Sequence, residues 1–185
     1  MNLIKVSLAV VVLGLAAGCG KQDVPVTDPA AAPAPAAATE TAPPASAPSA
    51  SGALALMEYA ASAAPAAGGN CSLDAINGGA AAGATVKVGS EVMFGGWIAD
   101  AINQVPTEAL LVLKGAEKAY SAPLVAGGER LDVATALAAE SLKLSGYNVL
   151  AKLDVVPGTY ELSIVHGPAD AAASCSLNAS LAVTN

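Results

Sequence analysis

The sequence predicts an all-β domain over residues 70–185, an antiparallel β-sandwich of about seven strands with one short helix. Three observations support this prediction. Apolar and polar residues alternate with a period of two in several stretches, which is the pattern of half-buried strands. Turn residues such as Gly, Pro and Asn separate these stretches at short intervals. Within residues 70–185, only residues 130–137 (RLDVATAL) have the composition of a helix.

The later strands follow from the alternation alone. It predicts strands at residues 147–153, 160–164 and 174–183. Leu150 interrupts the polar face of the first of these. Residues 109–113 (ALLVL) are apolar on both faces, which predicts a central strand. Residues 114–117 (KGAE) then predict a hairpin turn into a strand at 118–123.

Several single residues have predicted structural roles in this domain. The pair Gly95–Gly96 predicts a β-bulge that returns Trp97 to the core face. Asp132 is the predicted N-cap of the helix, and Asp100 is a predicted turn acceptor. Arg130 is then expected to be the partner of one of these two carboxylates.

The N-terminus has the pattern of an export signal over residues 1–18. Lys5 precedes an apolar run at residues 6–17 (VSLAVVVLGLAA). A helix of this length covers roughly 18 Å, whereas the hydrocarbon core of a bilayer is roughly 30 Å thick. The run is therefore predicted to be a signal sequence rather than a membrane span.

The motif that follows, Leu15-Ala16-Ala17-Gly18-Cys19, resembles the lipobox of bacterial lipoproteins. It departs from the commonest form because Leu15 lies four residues before the cysteine rather than three. The resemblance implies cleavage before Cys19, which then carries a diacylglyceryl thioether and an N-acyl chain. With Gly20 next, it implies lipid anchoring at the outer membrane, with the domain at the periplasmic face or the cell surface. The alternative is an ordinary signal peptide with an incidental Cys19.

Residues 19–69 are predicted to be a tether between anchor and domain. Residues 23–69 contain 19 Ala and 8 Pro among 47 residues. Such a segment buries too little apolar surface to fold, and repeated Pro favours extended conformations. Residues 54–64 (LALMEYAASAA) favour helix by composition, and a short helix is predicted there.

The two remaining cysteines begin near-identical segments, Cys71-Ser72-Leu73-Asp74-Ala75 and Cys175-Ser176-Leu177-Asn178-Ala179. Both segments are predicted strands, the first and the last of the domain. An exported protein meets an oxidising compartment, so a Cys71–Cys175 disulfide is expected. A free, reactive thiol pair is the alternative.

Part of the domain resembles known envelope modules. Residues 153–165 (LDVVPGTYELSIV) resemble the late hairpin of many bacterial immunoglobulin-like domains. Gly96-Trp97-Ile98-Ala99-Asp100, Arg130-Leu131-Asp132-Val133-Ala134 and Gly146-Tyr147 resemble an uncharacterised sandwich module of bacterial envelope proteins. The resemblance covers roughly residues 92–165. It implies an immunoglobulin-like sandwich, and no catalytic residues transfer with it.

The sequence offers little catalytic chemistry. The single histidine, His166, ends a predicted strand and is expected to be a strand-end hydrogen-bonding group. One histidine with two oxidised cysteines does not suffice for a zinc site, and no G-x-S-x-G motif occurs. We therefore expect no enzyme activity and no cofactor; an enzyme acting through His166 is a remote alternative.

The charge balance bears on the partner. The chain has 8 Lys plus Arg and 15 Asp plus Glu, a formal charge of −7, which disfavours nucleic-acid binding. Residues 70–185 have a net charge of −5, which favours basic partners. The predicted function is a non-catalytic envelope lipoprotein whose tethered sandwich binds a protein or glycan partner, or has a structural role in an envelope assembly. The alternative is an inhibitor or immunity lipoprotein directed against a cell-wall hydrolase.

Overall fold

A computed structural model describes residues 52–60 and 64–185, and nearly all of its regular structure is β-strand. In chain order the strands are β1 Leu54–Ala55, β2 Met57–Glu58, β3 Ala66–Ala67, β4 Asn70–Ile76, β5 Gly79–Ala80, β6 Ala84–Lys87, β7 Glu91–Ala99, β8 Ala109–Lys114, β9 Ala119–Leu124, β10 Ala126–Gly128, β11 Gly146–Lys152, β12 Gly158–His166 and β13 Ala173–Thr184. An α-helix, α1 (Leu131–Ala136), and a 3₁₀ helix (Glu140–Leu144) lie between β10 and β11. No helix in these ranges is long and apolar enough to cross a membrane.

The strands form two mixed sheets. Sheet A has the order β1-β11-β7-β4-β5, and β10 also pairs with β11. Sheet B has the order β2-β9-β8-β12-β13-β3, and β6 also pairs with β13. The seven strands of six residues or more are antiparallel to their long neighbours. Their distribution, with β4, β7 and β11 in sheet A and β8, β9, β12 and β13 in sheet B, is that of an immunoglobulin-like sandwich, so the predicted fold class is confirmed.

The short strands make the sheets mixed rather than purely antiparallel. β1 pairs in parallel with β11, and β3 and β6 both pair in parallel with β13. The chain leaves sheet A after β5, follows the edge of sheet B as β6, and returns to sheet A as β7. The connections of β6 to β5 and β7 therefore fix its direction, and this direction is parallel to β13.

The main core lies between the sheets and consists of the inward-facing residues of the long strands. Its fully buried members include Phe94, Ile98, Leu111, Leu113, Leu153, Ile164 and Leu181. The predicted alternation at 147–153, 160–164 and 174–183 agrees with the observed burial. β8 lies between β9 and β12, as a central strand should, and Gly115 N donates to Lys118 O over 2.9 Å in the hairpin that follows it.

The prediction that a bulge at Gly95–Gly96 returns Trp97 to the core is wrong. β7 pairs with β11 without interruption, and the extra residue is Asp74 on the neighbouring strand β4. Phe94 and Ile98 face the core, so Trp97 faces outwards. It packs half-buried against a second, smaller core of Ala99, Val133, Ala134 and Leu142.

The two glycines serve close packing instead. The buried ring of Tyr147 crosses Gly96, and its hydroxyl donates to Ser72 O over 3.0 Å. A Cβ at Gly96 would overlap the backbone oxygen of Ser72 on β4 and would lie 2.6 Å from the Tyr147 hydroxyl, so any side chain there would displace β4 and the ring. A Cβ at Gly95 would lie 2.9 Å from Asn148 Oδ1. A glycine pair in a strand thus marked a close approach rather than a bulge.

The predicted helix at 54–64 is also wrong. Residues 54–58 are extended, with β1 on the edge of sheet A and β2 on the edge of sheet B. Leu54 and Leu56 are half-buried against the main core. A short helix is marginal alone, whereas the edges of β9 and β11 offer hydrogen-bond partners. Residues 61–63, like the predicted signal and the tether up to residue 51, lie outside the described ranges.

The end of the predicted tether therefore pairs with the sandwich, since β3 also covers part of β13. A chain that begins at Gly69 should be less stable than one that begins at Gly52, by about 2 kcal/mol. Two half-buried leucines contribute about 1 kcal/mol each, and their loss also leaves the edges of β9 and β11 unpaired. Urea denaturation at pH 7 measures the difference.

The control for this prediction uses neighbouring side chains in the full chain. Replacing both Leu54 and Leu56 by Ala should reproduce most of the loss. Replacing Met57, which is 60% exposed, by Ala should change stability little. Equal unfolding midpoints for the chains that begin at Gly52 and Gly69 would show that residues 54–67 are only a spacer.

Candidate functional site

The predicted disulfide is present. Cys71 on β4 is bonded to Cys175 on β13, with the two Cα atoms 6.2 Å apart. Because β4 belongs to sheet A and β13 to sheet B, the bond joins the sheets at one side of the sandwich. The alternative of a free thiol pair is thereby excluded for this structure. Cys19, the predicted lipid acceptor, lies outside the described residues.

His166 ends β12 and is only 6% exposed. Its Nε2 lies 3.4 Å from Gly68 O, in the connection between β3 and β4. A Cβ at Gly69 would lie 2.7 Å from the same nitrogen, so the ring packs closely against this connection. Within the described residues no hydroxyl or carboxylate is hydrogen-bonded to the ring. Its surroundings agree with the predicted strand-end role.

The densest polar cluster lies on the outer face of sheet A, around Arg130. Its Nε and Nη2 donate to the two carboxylate oxygens of Asp132, over 2.9 and 2.8 Å. Its Nη1 donates to Asp74 Oδ2 over 2.6 Å, and Ser72 Oγ donates to the other oxygen of Asp74 over 2.8 Å. Asp74 is the bulged residue of β4, so the bulge turns its carboxylate towards Arg130.

The pKa values follow these contacts. The hydrogen bonds from Arg130 lower the pKa of Asp132 to about 2, and the same bonds raise the pKa of Arg130. Burial, aided by the charge of Asp74, raises the pKa of Tyr147, so its hydroxyl remains a neutral donor to Ser72 O. Arg130 pairs with both carboxylates, so the cluster has a net charge of −1.

The Arg130 cluster is a structural clamp. Arg130 precedes α1, and its side chain crosses Gly146 to reach β4; a Cβ at Gly146 would lie 3.0 Å from Arg130 Cγ.

The predicted N-cap role of Asp132 is wrong, because Arg130 is the N-cap residue and no side chain caps the helix. Asp132 binds Arg130 instead. Asp100 has its predicted role, since its Oδ1 accepts from the backbone N–H groups of Ile102 and Gln104.

A metal centre is not formed by these carboxylates. Within residues 52–60 and 64–185 no group of three or more His, Cys, Asp or Glu side chains is placed to hold a metal ion.

An apolar groove of about 530 Å³ lies on the outer face of sheet B and is the best-formed candidate for binding. The apolar side chains that line it include Tyr59, Pro65, Leu110, Pro123, Val125 and Val165. Among the described residues that line it, Glu108 is the only charged one. Its size and apolar lining are in the range of ligand-binding sites.

The register of sheet B creates this groove. Leu111 and Leu113 point into the core, so Leu110 points outwards. Pro123 on β9 and Val165 on β12 lie opposite Leu110, so the three share one face. Val125, just after β9, is 76% exposed at the side of the groove.

Sequence reasoning missed the groove, although one signal was available. Residues 109–113 are apolar on both faces, which explains a central strand but also leaves Leu110 on an outer face. The other wall includes Tyr59 and Pro65, which belong to the segment assigned to the tether. Alternation identifies a buried face, but it does not show which chain segment passes over the opposite face.

Comparison with known proteins gives no relative from which a site could be transferred: no protein-family model, curated protein or solved structure matches this chain with significant similarity.

The Arg130–Asp132 pair should make stability depend on pH in the acid range. The folded state lowers the pKa of Asp132 from 3.8 to about 2, so its contribution is complete above about pH 4 and is lost as the pH falls towards 2. Asp132 is largely exposed, so the effect is at most about 1 kcal/mol. Urea denaturation at pH 7, 4, 3 and 2 should show the difference between the native chain and Asp132→Asn shrinking below pH 4. Arg130→Gln should weaken the same dependence, and a difference that stays constant with pH would contradict the assignment.

Proposed function

We propose that this protein is a bacterial envelope lipoprotein, anchored through Cys19 at the outer membrane, whose sandwich domain binds a protein partner through the apolar groove of sheet B. The domain acts by binding and performs no catalysis. Residues 19–51 are the tether between the anchor and the first paired strand. A segment of 33 residues reaches on the order of 100 Å when fully extended and roughly 30 Å as a coil.

The groove is the observation that carries the proposal. Val125 is 76% exposed at the groove, Pro123 is exposed and Leu110 is half-buried, whereas Leu124 and Val165 form its buried floor. Exposed apolar surface of this kind gains free energy when a partner covers it, and it is the usual sign of an interaction site. Among the described residues, the lining contains one aromatic side chain, Tyr59, and two other polar ones, Thr107 and Glu108. This composition suits the apolar side chains of a protein better than a polyhydroxylated glycan.

The sheet edges support a partner that docks on a face rather than one that adds a strand. β1 and β2 cover the edges of β11 and β9, and β3 and β6 cover both ends of β13. Between β3 and β6, the ladder of β13 with β12 is irregular where Asn178 has a positive φ of 48°. Covered and bulged edges discourage strand addition.

Site-specific photo-crosslinking in intact cells tests the proposal. A photoreactive residue replaces Val125 at the groove, and in a matched control it replaces Ile102, since both native side chains are 76% exposed. We expect one protein adduct from position 125, none from position 102, and loss of the position-125 adduct when Cys19→Ser removes the anchor. No adduct from position 125, or the same adduct from both positions, would contradict the proposal.

A further inference from the structure

We infer that the partner presents to this groove an extended apolar segment with a lysine or arginine that pairs with Glu108. This inference rests on the proposed function and names the chemistry of the partner at the same site.

The apolar requirement follows from the walls of the groove. Leu110, Pro123 and Val165 form one row across three neighbouring strands; Pro123 is exposed, Leu110 is half-buried and Val165 is buried beneath them. Val125 and Tyr59 border this row. A row of side chains that crosses strands accommodates a narrow, elongated ligand. Small or branched apolar side chains of such a segment would gain free energy by covering the exposed part of these walls.

The cationic requirement follows from the placement of charge on sheet B. Glu108 is exposed, and in the described part of the chain it has no ion-pair partner. Asp170, also exposed, follows the groove residue Ala169. No lysine or arginine belongs to the described lining, so this end of sheet B is acidic.

The lysines of sheet B lie at its opposite end. Lys114 ends β8 and Lys118 lies in the hairpin that follows, whereas the groove is at the start of β8. Lys114 lies five positions after Ala109 on the strand, about 17 Å away at about 3.4 Å per residue. This distance exceeds the screening length of about 8 Å at physiological ionic strength. Glu108 therefore selects for a cation and against an anion without competition from these lysines.

Fluorescence anisotropy with the detergent-solubilised mature lipoprotein tests this inference. The probes are three labelled octapeptides of alternating Val and Ser that differ in one central residue, Lys, Gln or Glu. We expect affinity to fall in the order Lys, Gln, Glu. Glu108→Gln should weaken binding of the Lys peptide about two- to fivefold, the range of an exposed ion pair, and leave the Gln peptide unchanged. Glu117→Gln, at an exposed carboxylate of the far hairpin, is the matched control and should change nothing.

The outcomes separate this inference from the proposed function. If the three peptides bind equally and Glu108→Gln has no effect, the charge selection is overturned while a groove that binds protein stands. If no peptide binds although position 125 yields its adduct in cells, the partner is not an extended segment of this kind, and the inference is again overturned. If neither peptide binding nor the adduct is found, the proposed function fails with it.

Discussion

The Cys71–Cys175 disulfide joins the first long strand of sheet A to the last strand of sheet B, 104 residues later in the chain. The sheets are otherwise held together by the core and by short crossing segments. Closing a loop of this length restricts the unfolded chain, which in the chain-entropy model stabilises the fold by up to about 4.7 kcal/mol. The bond also fixes the start of β4 against β13, next to the pairing of β13 with β3.

The walls of the groove depend on the region around this disulfide. β3 pairs with Ala173 and Ser174, immediately before Cys175, and His166 packs against the connection from β3 to β4. Ala172 and Pro65, the residues just before β13 and β3, are part of the groove lining. Because the disulfide fixes β13, it also fixes the wall of the groove that Ala172 and Pro65 form. This wall lies beside the face of β8, β9 and β12. On the opposite sheet, the ion pairs of Arg130 with Asp74 and Asp132 fix α1 in a comparable way. One face of the sandwich is thus occupied by internal polar contacts, and the other presents apolar surface.

Local pattern was sufficient to predict the sandwich and its disulfide, because period two and turn residues indicate half-buried strands, and the two cysteines lie near the start of the first and the last long strand. Pattern failed where a contact distant in sequence decided the outcome. Gly96 accommodates the ring of Tyr147, and Asp132 binds Arg130 rather than capping a helix. Residues 54–58 have helical propensity, but two open sheet edges convert them to strand. Leu110 and Tyr59 both line the groove, and neither local sequence predicts that they lie together.

Removal of the disulfide tests the account most directly. We expect the double variant Cys71→Ala, Cys175→Ala to lose about 2–4 kcal/mol of unfolding free energy in urea at pH 7. Hydrogen exchange under native conditions should show where the loss falls. Amides of β3, β4 and β13 should exchange faster in the variant, while those of β8 and β12 at the centre of sheet B keep their protection. Unchanged stability, or exchange that rises equally in β8 and β13, would contradict the claim that this bond fixes β3, β4 and β13, the strands on which the groove walls depend.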